Sequence, residues 1–172
     1  MTIETLRPEA NGVTNTFPTQ YPNSTSHYDK VDEVISDGDA TYVENNGDWR
    51  TELYALPVHV SSGVINSVTV KVVVRLTGTD DQLIYYTSLR THSTNYGGGA
   101  EFVGSATYIT KSYTWNTNPN TLAAWTWDEI DALEVGCNAR YWGNSNIRVT
   151  QVYAEVDYTP PPIYPIRGFI IG

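Results

Sequence analysis

The chain has 172 residues with 19 acidic and 10 basic side chains, which gives a net charge of −9. This length fits one domain with a sizeable core, or one domain with terminal arms. The scarcity of Lys and Arg argues against nucleic-acid binding, which requires a basic surface to neutralise phosphates. No apolar run approaches the length of a membrane helix, so we expect no membrane partner.

The first 26 residues are rich in Thr, Asn and Pro, with turn signals at Asn11-Gly12 and Tyr21-Pro22. This composition predicts an N-terminal arm or a first edge strand over residues 1–26. The extreme N-terminus lacks both the basic and the apolar regions of a secretory signal. We therefore expect synthesis in a cytoplasm.

An acidic, turn-rich stretch follows, with two carboxylates around a glycine at Asp37-Gly38-Asp39. Converging carboxylates on a tight turn suit calcium, which makes Asp37 and Asp39 the candidate metal ligands. The stretch does not fit an EF-hand, because Tyr42 stands where that loop needs Gly. The alternative is solvated turn carboxylates that protect a strand edge, with no cofactor bound.

The clearest strand pattern runs from Ile65 to Leu76, where alternate valines share one face. Further short strands follow at hairpin spacing, with Ser93–Gly99 as a glycine-rich loop between two of them. Thr126 and Glu129 have the spacing of a helix capping box, which predicts one short helix. The apolar phase shifts within residues 146–158, which predicts a β-bulge.

These elements predict an all-β fold, a single antiparallel β-sandwich of jelly-roll type over residues 27–158, with one short helix and extended arms. The lone Cys137 falls on an apolar phase and is predicted to be a buried structural thiol. The other predicted core residues are Val70, Val72, Val74, Leu133, Val135, Val152 and Val156.

Several aromatic residues in the second half of the chain are candidates for stacking on sugar rings. The glycan-binding candidates are Trp115, Tyr141, Trp142 and, in the loop at 93–99, Tyr96. Trp and Tyr are also ordinary core and interface residues, because they bury a large area while keeping one polar atom hydrated. Core packing is therefore the alternative for this group.

The C-terminal tail, residues 159–172, combines four prolines with an apolar end. The prolines favour an extended spacer, and the apolar end is poorly suited to water, so we expect the tail to dock on another subunit. The expected partners are other copies of this chain or a major capsid or tail protein. The predicted partner-binding residues are Pro161, Pro162, Ile163, Tyr164, Phe169, Ile170 and Ile171.

Five segments together resemble a β-sandwich domain of jelly-roll or carbohydrate-module type, found in tailed-phage, prophage and some archaeal surface proteins. They are Tyr28–Val34, Asp39–Val43, Trp115–Pro119, Trp125–Gly136 and Val149–Pro160. The resemblance covers roughly residues 28–160 and implies a fold but no catalytic residues, since this architecture hosts sugar binding, adhesion and capsid decoration alike. The absence of a signal peptide favours the virion as its location.

Neither a metalloprotease motif nor a nucleophile elbow is present in the sequence, and the three histidines are far apart. We therefore predict a non-enzymatic virion structural protein that decorates a capsid or forms an accessory part of a shell or tail. The first alternative is a carbohydrate-binding or adhesive module that binds a surface glycan. The second is a subunit of an extracellular filament.

Overall fold

The computed structural model describes residues 2–78, 84–140 and 145–162. These residues form two six-stranded sheets, in which every strand pair is antiparallel. Sheet A contains β1 (Thr2–Leu6), β3 (Thr19–Tyr21), β4 (Tyr42–Asn45), β6 (Val64–Leu76), β10 (Ile109–Trp115) and β12 (Ile147–Thr159). Sheet B contains β2 (Ala10–Asn15), β5 (Arg50–Ala55), β7 (Ile84–Thr91), β8 (Thr94–Gly97), β9 (Glu101–Phe102) and β11 (Glu134–Arg140).

The strand order is β10-β6-β12-β4-β3 in sheet A, with β1 also paired to β12. In sheet B the order is β2-β5-β11-β7-β8, with β9 also paired to β7. The hydrophobic core lies between the sheets and includes the alternate valines of β6. All seven predicted core residues and Cys137 are at most 1% exposed, so the predicted β-sandwich and its core are confirmed. No helix within the described ranges is long and apolar enough to cross a membrane.

The N-terminal stretch supplies three strands that each pair along one edge: β1 with β12, β2 with β5 and β3 with β4. Residues 2–21 therefore contribute strands to both sheets, as in the edge-strand alternative for residues 1–26. The turn-rich composition of residues 1–26 reflects the short connections that move this stretch from one sheet to the other.

The long central strand β12 contains the predicted bulge. Its register against β6 shifts between Val149 and Gln151, which confirms the phase change read from the sequence. β4 and β1 pair with different halves of β12 on the same side. Between these halves, the N–H of Val152 donates to the carbonyl of Val31, so the 31–41 loop covers this part of the strand edge.

The short helix α1 (Trp127–Asp131) is capped as predicted. The Thr126 hydroxyl accepts a hydrogen bond from the Glu129 N–H, and the Glu129 carboxylate accepts one from the Thr126 N–H. The segment at 93–99 differs from the predicted loop, because Thr94–Gly97 forms β8. His92 and Ser93 both have positive φ, which allows a two-residue hairpin turn between β7 and β8.

The C-terminal strand ends at Thr159, which pairs with Val64, so the sandwich extends one residue past its predicted end. Pro161 and Pro162 are exposed beyond it. The other predicted docking residues, namely Ile163, Tyr164, Phe169, Ile170 and Ile171, lie outside the described residues.

Candidate functional site

The outer face of sheet B has its polar side chains arranged in rows that run across the strands. Tyr86, Ser88 and Arg90 alternate with core residues along β7, and side chains that alternate along a strand lie on opposite faces. One row therefore contains Thr51, Asn138 and Tyr86, which are aligned by the pairing of β5, β11 and β7.

The next row along the strands is made of small residues. Gly136 pairs with Ser88, and Ser88 pairs with Gly97, so three adjacent strands contribute almost no side-chain volume there. A Cβ added at Gly97 would lie 3.3 Å from the Tyr86 ring, and one added at Gly136 would overlap the Glu52 carbonyl. This row, which we call the floor, lies between the Thr51–Asn138–Tyr86 row and the paired residues Arg90 and Asn95.

Aromatic rings border the floor on one side. Trp49, just before β5, is 41% exposed, and its ring centroid lies 5.6 Å from that of Tyr86. Phe102 is 63% exposed and pairs with Ile84, so it lies one row further from the floor than Tyr86. Exposed rings that lie close together on one sheet face form a platform on which a flat apolar surface can pack.

A cavity of about 270 Å³ occupies this face. Its lining residues are Thr51, Tyr86, Ser88, Asn95, Tyr96, Gly97 and Asn138. These residues provide hydroxyl, amide and aromatic groups, and none carries a carboxylate, an ammonium, a guanidinium or an imidazole. The lining is therefore neutral although the chain as a whole has a net charge of −9.

Each amide at the cavity is held by one neighbour. Each uses only part of its own hydrogen-bonding capacity in that contact. Asn138 donates through Nδ2 to the Thr51 hydroxyl at 2.6 Å, and Asn95 accepts through Oδ1 from Arg90 at 2.9 Å. Within the described chain, the Asn138 Oδ1 acceptor and the Asn95 Nδ2 donor make no hydrogen bond. Both groups are available to a ligand that combines donors and acceptors, as a hydroxyl does.

The four glycan candidates from the sequence have different outcomes. Tyr96 borders the cavity, although its ring packs against the core and its hydroxyl accepts a hydrogen bond from Asn120. Trp115 is only 8% exposed and belongs to the core, so its ring is not available to a sugar. Tyr141 and Trp142 lie outside the described residues.

The calcium candidates Asp37 and Asp39 are bound by donors from within the chain. Asp39 accepts hydrogen bonds from Arg75, Arg148 and the Tyr108 hydroxyl at 2.8–3.0 Å. Asp37 accepts from the hydroxyls of Thr41 and Thr150. Among the described residues there is no group of three or more His, Cys, Asp or Glu side chains that could hold a metal ion.

The remaining reactive side chains lie away from the cavity and have partners. The histidines pair with three different carboxylates, namely His27 with Glu52, His59 with Asp131 and His92 with Glu129. Burial, and secondarily the nearby Glu52 carboxylate, raise the pKa of the Cys137 thiol well above its usual value. A thiol with so high a pKa is a poor nucleophile, which agrees with the structural role predicted for Cys137.

The sequence interpretation did not identify Trp49, Tyr86, Asn138 or Ser88. For Tyr86, Ser88 and Asn138 the signal is their place on the polar phase of β7 and β11, whereas Trp49 lies just before β5 and has no such pattern. That phase marks an outward face, but only strand pairing shows that the faces of β5, β11, β7 and β8 are contiguous.

No family model matches the chain, and no curated protein matches it. Solved structures similar to it include three carbohydrate-binding modules. One, described as a family 16 carbohydrate-binding module-2, is 7% identical with a TM-score of 0.43 over 69% of this chain and 78% of its own. The carbohydrate-binding module 35 from Cellvibrio japonicus Abf62 is 12% identical, with a TM-score of 0.47 over 92% of this chain and 95% of its own.

The third is a family 6 module from Cellvibrio mixtus lichenase 5A, solved in complex with cellotriose. It is 11% identical, with a TM-score of 0.37 over 92% of this chain and 100% of its own.

Proposed function

We propose that the chain is a non-catalytic glycan-binding module that holds a neutral sugar in the cavity on the outer face of sheet B. The observation that supports this most strongly is the neutral lining of hydroxyl, amide and aromatic groups. A sugar ring has an apolar face that packs on an aromatic ring, and hydroxyls at its edge that exchange hydrogen bonds with amides. The lining contains no Lys, Arg or His that would pair with a phosphate, a nucleotide or an acidic peptide.

The described chemistry at the cavity suits binding rather than catalysis. Glycoside hydrolysis uses two carboxyl groups that flank the scissile bond. The cavity lining within the described chain contains none, and its only titratable side chains are the tyrosines Tyr86 and Tyr96. We therefore propose that Trp49 and Tyr86 supply the stacking surface and that Asn138, Thr51 and Asn95 supply the polar contacts.

The proposal is tested by titrating xylo-, cello- and manno-oligosaccharides, together with soluble xylan, β-glucan and galactomannan, into the protein in a calorimeter. We expect at least one of these probes to bind, and Trp49→Ala and Tyr86→Ala each to weaken it tenfold or more, which corresponds to about 1.4 kcal/mol. Tyr21→Ala is the matched control, since Tyr21 is 52% exposed on sheet A. Absence of binding to every probe, or binding unchanged in both Trp49→Ala and Tyr86→Ala, would contradict the proposal.

The virion role predicted from the sequence stays a prediction, as does location in a virion. Its residues lie largely in the C-terminal tail, and residues 163–172 fall outside the described part. The two functions are compatible, because a capsid or tail subunit can also bind a surface glycan. Mass spectrometry of purified virions, with the copy number of this chain, tests the virion role independently of sugar binding.

A further inference from the structure

The floor of the cavity is closed at one end by strand β2. Between Asn11 and Asn15 there are four residue steps, whereas their partners Tyr54 and Glu52 are two steps apart, so β2 contains two extra residues (4 − 2). These extra residues form a bulge opposite Leu53, at the place where the floor row would continue onto β5.

Three contacts place the bulge over the outer face rather than beside the sheet. The Val13 N–H donates to Glu134 Oε2 at 2.9 Å, although Glu134 belongs to β11, one strand beyond β5. A Cβ added at Gly12 would overlap that same carboxylate and approach the Leu53 carbonyl to 2.6 Å. Asn15 fixes the end of the bulge by donating from Nδ2 to the Leu53 carbonyl at 2.8 Å.

The burial of Leu53 shows the consequence of this contact. Leu53 pairs with Gly136 and therefore points to the outer face, yet its exposure is 0%. It does not belong to the core cluster between the sheets, so the bulge covers it from outside. A ligand chain that follows the floor from β8 towards β5 meets the bulge and stops there.

The opposite end of the floor is open. β8 is the last strand of the sheet B order, and both Asn95 and Gly97 on it are exposed. Gly97 has no side chain that would block the row. A polymer can therefore leave the floor over β8, whereas the bulge over Leu53 blocks the floor row at β5.

We propose that the cavity recognises the end of a glycan chain, with one terminal sugar seated against the β2 bulge and the rest of the chain leaving over β8. This inference rests on the proposed glycan-binding function. A binder of internal segments needs a groove that is open at both ends, so that the polymer can continue in both directions. A site closed at one end accepts only a terminus or a short oligosaccharide.

The test measures binding stoichiometry on equal masses of one polysaccharide, intact and partially hydrolysed. Soluble xylan, mixed-linkage β-glucan and galactomannan serve as probes, with chain ends counted by a reducing-sugar assay. We expect the moles of protein bound per gram to rise in proportion to the number of ends. Equal binding per gram before and after hydrolysis would overturn end recognition while leaving glycan binding intact. No binding to any probe would overturn both proposals.

A second variant tests the role of the bulge itself. Deleting Val13 and Thr14 brings Asn11 and Asn15 to the spacing of regular pairing with β5. We expect the moles of this variant bound per gram of polysaccharide to be the same before and after hydrolysis. The reason is that the floor then continues onto β5, so internal segments of the polymer can bind. A folded variant whose binding still rises with the number of chain ends would contradict the closing role of the bulge. The hydrolysis series on the unmodified chain tests the proposal even if the variant fails to fold.

Discussion

Asp39 ties the 31–41 loop to the outer face of sheet A through two guanidinium groups. Arg75 on β6 and Arg148 on β12 both reach it, and Tyr108 donates from a third segment. Partial burial tends to raise the pKa of Asp39, but the hydrogen bonds from Arg75, Tyr108 and Arg148 outweigh it, so the pKa lies below its usual value. A carboxylate with a lowered pKa in the folded state stabilises the fold when it is ionised.

The resulting prediction concerns how stability changes with pH. At neutral pH we expect Asp39→Asn to lower the free energy of unfolding by about 1 kcal/mol or less, since the carboxylate is half exposed. This difference should shrink as the pH falls below about 4 and through the lowered pKa of Asp39, because the native carboxylate then becomes protonated. Urea denaturation of both proteins from pH 7 to pH 2.5 measures it, with Asp157→Asn as the control. A difference that grows on acidification would refute this account.

The same contacts bear on calcium. Two guanidinium groups already neutralise Asp39, and Asp37 is held by hydroxyls, so we expect no gain in stability from a divalent cation. A metal bound only to the folded state would stabilise it by mass action, so its removal would lower Tm. Since we expect no bound metal, adding EDTA should leave Tm unchanged. If chelation lowers Tm and added calcium raises it again, the protein has a calcium site, and Asp37 and Asp39 are again candidate ligands.

At the scale of elements, Gly136 sets how closely β5 and β11 approach each other. A methyl group at Gly136 would overlap the Glu52 carbonyl and lie 3.2 Å from the Leu53 Cα, so the two strands must move apart. We expect Gly136→Ala to destabilise the protein by about 1–3 kcal/mol, the usual range for overpacking. Because these strands position Thr51 and Asn138, glycan binding should weaken as well.

The matched control is Gly47→Ala, since a Cβ at Gly47 has no atom within 4 Å. That substitution should change the free energy of unfolding by no more than about 0.5 kcal/mol in denaturant titrations. Equal stability of Gly136→Ala and Gly47→Ala would mean that β5 and β11 tolerate a wider spacing than their contact implies.

Local sequence patterns predicted the elements that depend on local chemistry. The alternating valines of β6, the capping box at Thr126 and the phase shift in β12 are each contained in a few consecutive residues. The cavity is different, because Thr51, Ser88 and Asn138 come from strands that are far apart in sequence. The Ser93–Gly99 glycines indicated a loop, yet two positive-φ residues and pairing with β7 make Thr94–Gly97 a strand. Only tertiary pairing brings these residues onto one face.

In the molecule as a whole, the described part of the C-terminal tail leaves the sandwich. β12 ends at Thr159, and Pro160–Pro162 beyond it are exposed. We expect a chain truncated after Pro162 to keep its Tm and to lose any self-association or attachment to a shell protein. Analytical ultracentrifugation and thermal unfolding check both parts.

A second variant keeps the length of the tail while replacing Phe169, Ile170 and Ile171 with Ser, and it should behave like the truncation. A lower Tm with unchanged assembly would instead indicate that the tail folds over its own sandwich. Because the cavity lies on sheet B, sugar binding should be the same in both tail variants and in the full chain.

A neutral sugar bound on the outer face of sheet B should change the environment of the backbone amides on that face. The most direct measurement is to map backbone amide chemical shifts while xylo-, cello- and manno-oligosaccharides are titrated into the protein. We predict the largest changes at Ser88, Gly97 and Asn138, with little change at Lys71 and Tyr153 on the outer face of sheet A. Changes confined to sheet A, or no changes with any of these oligosaccharides, would contradict the claim.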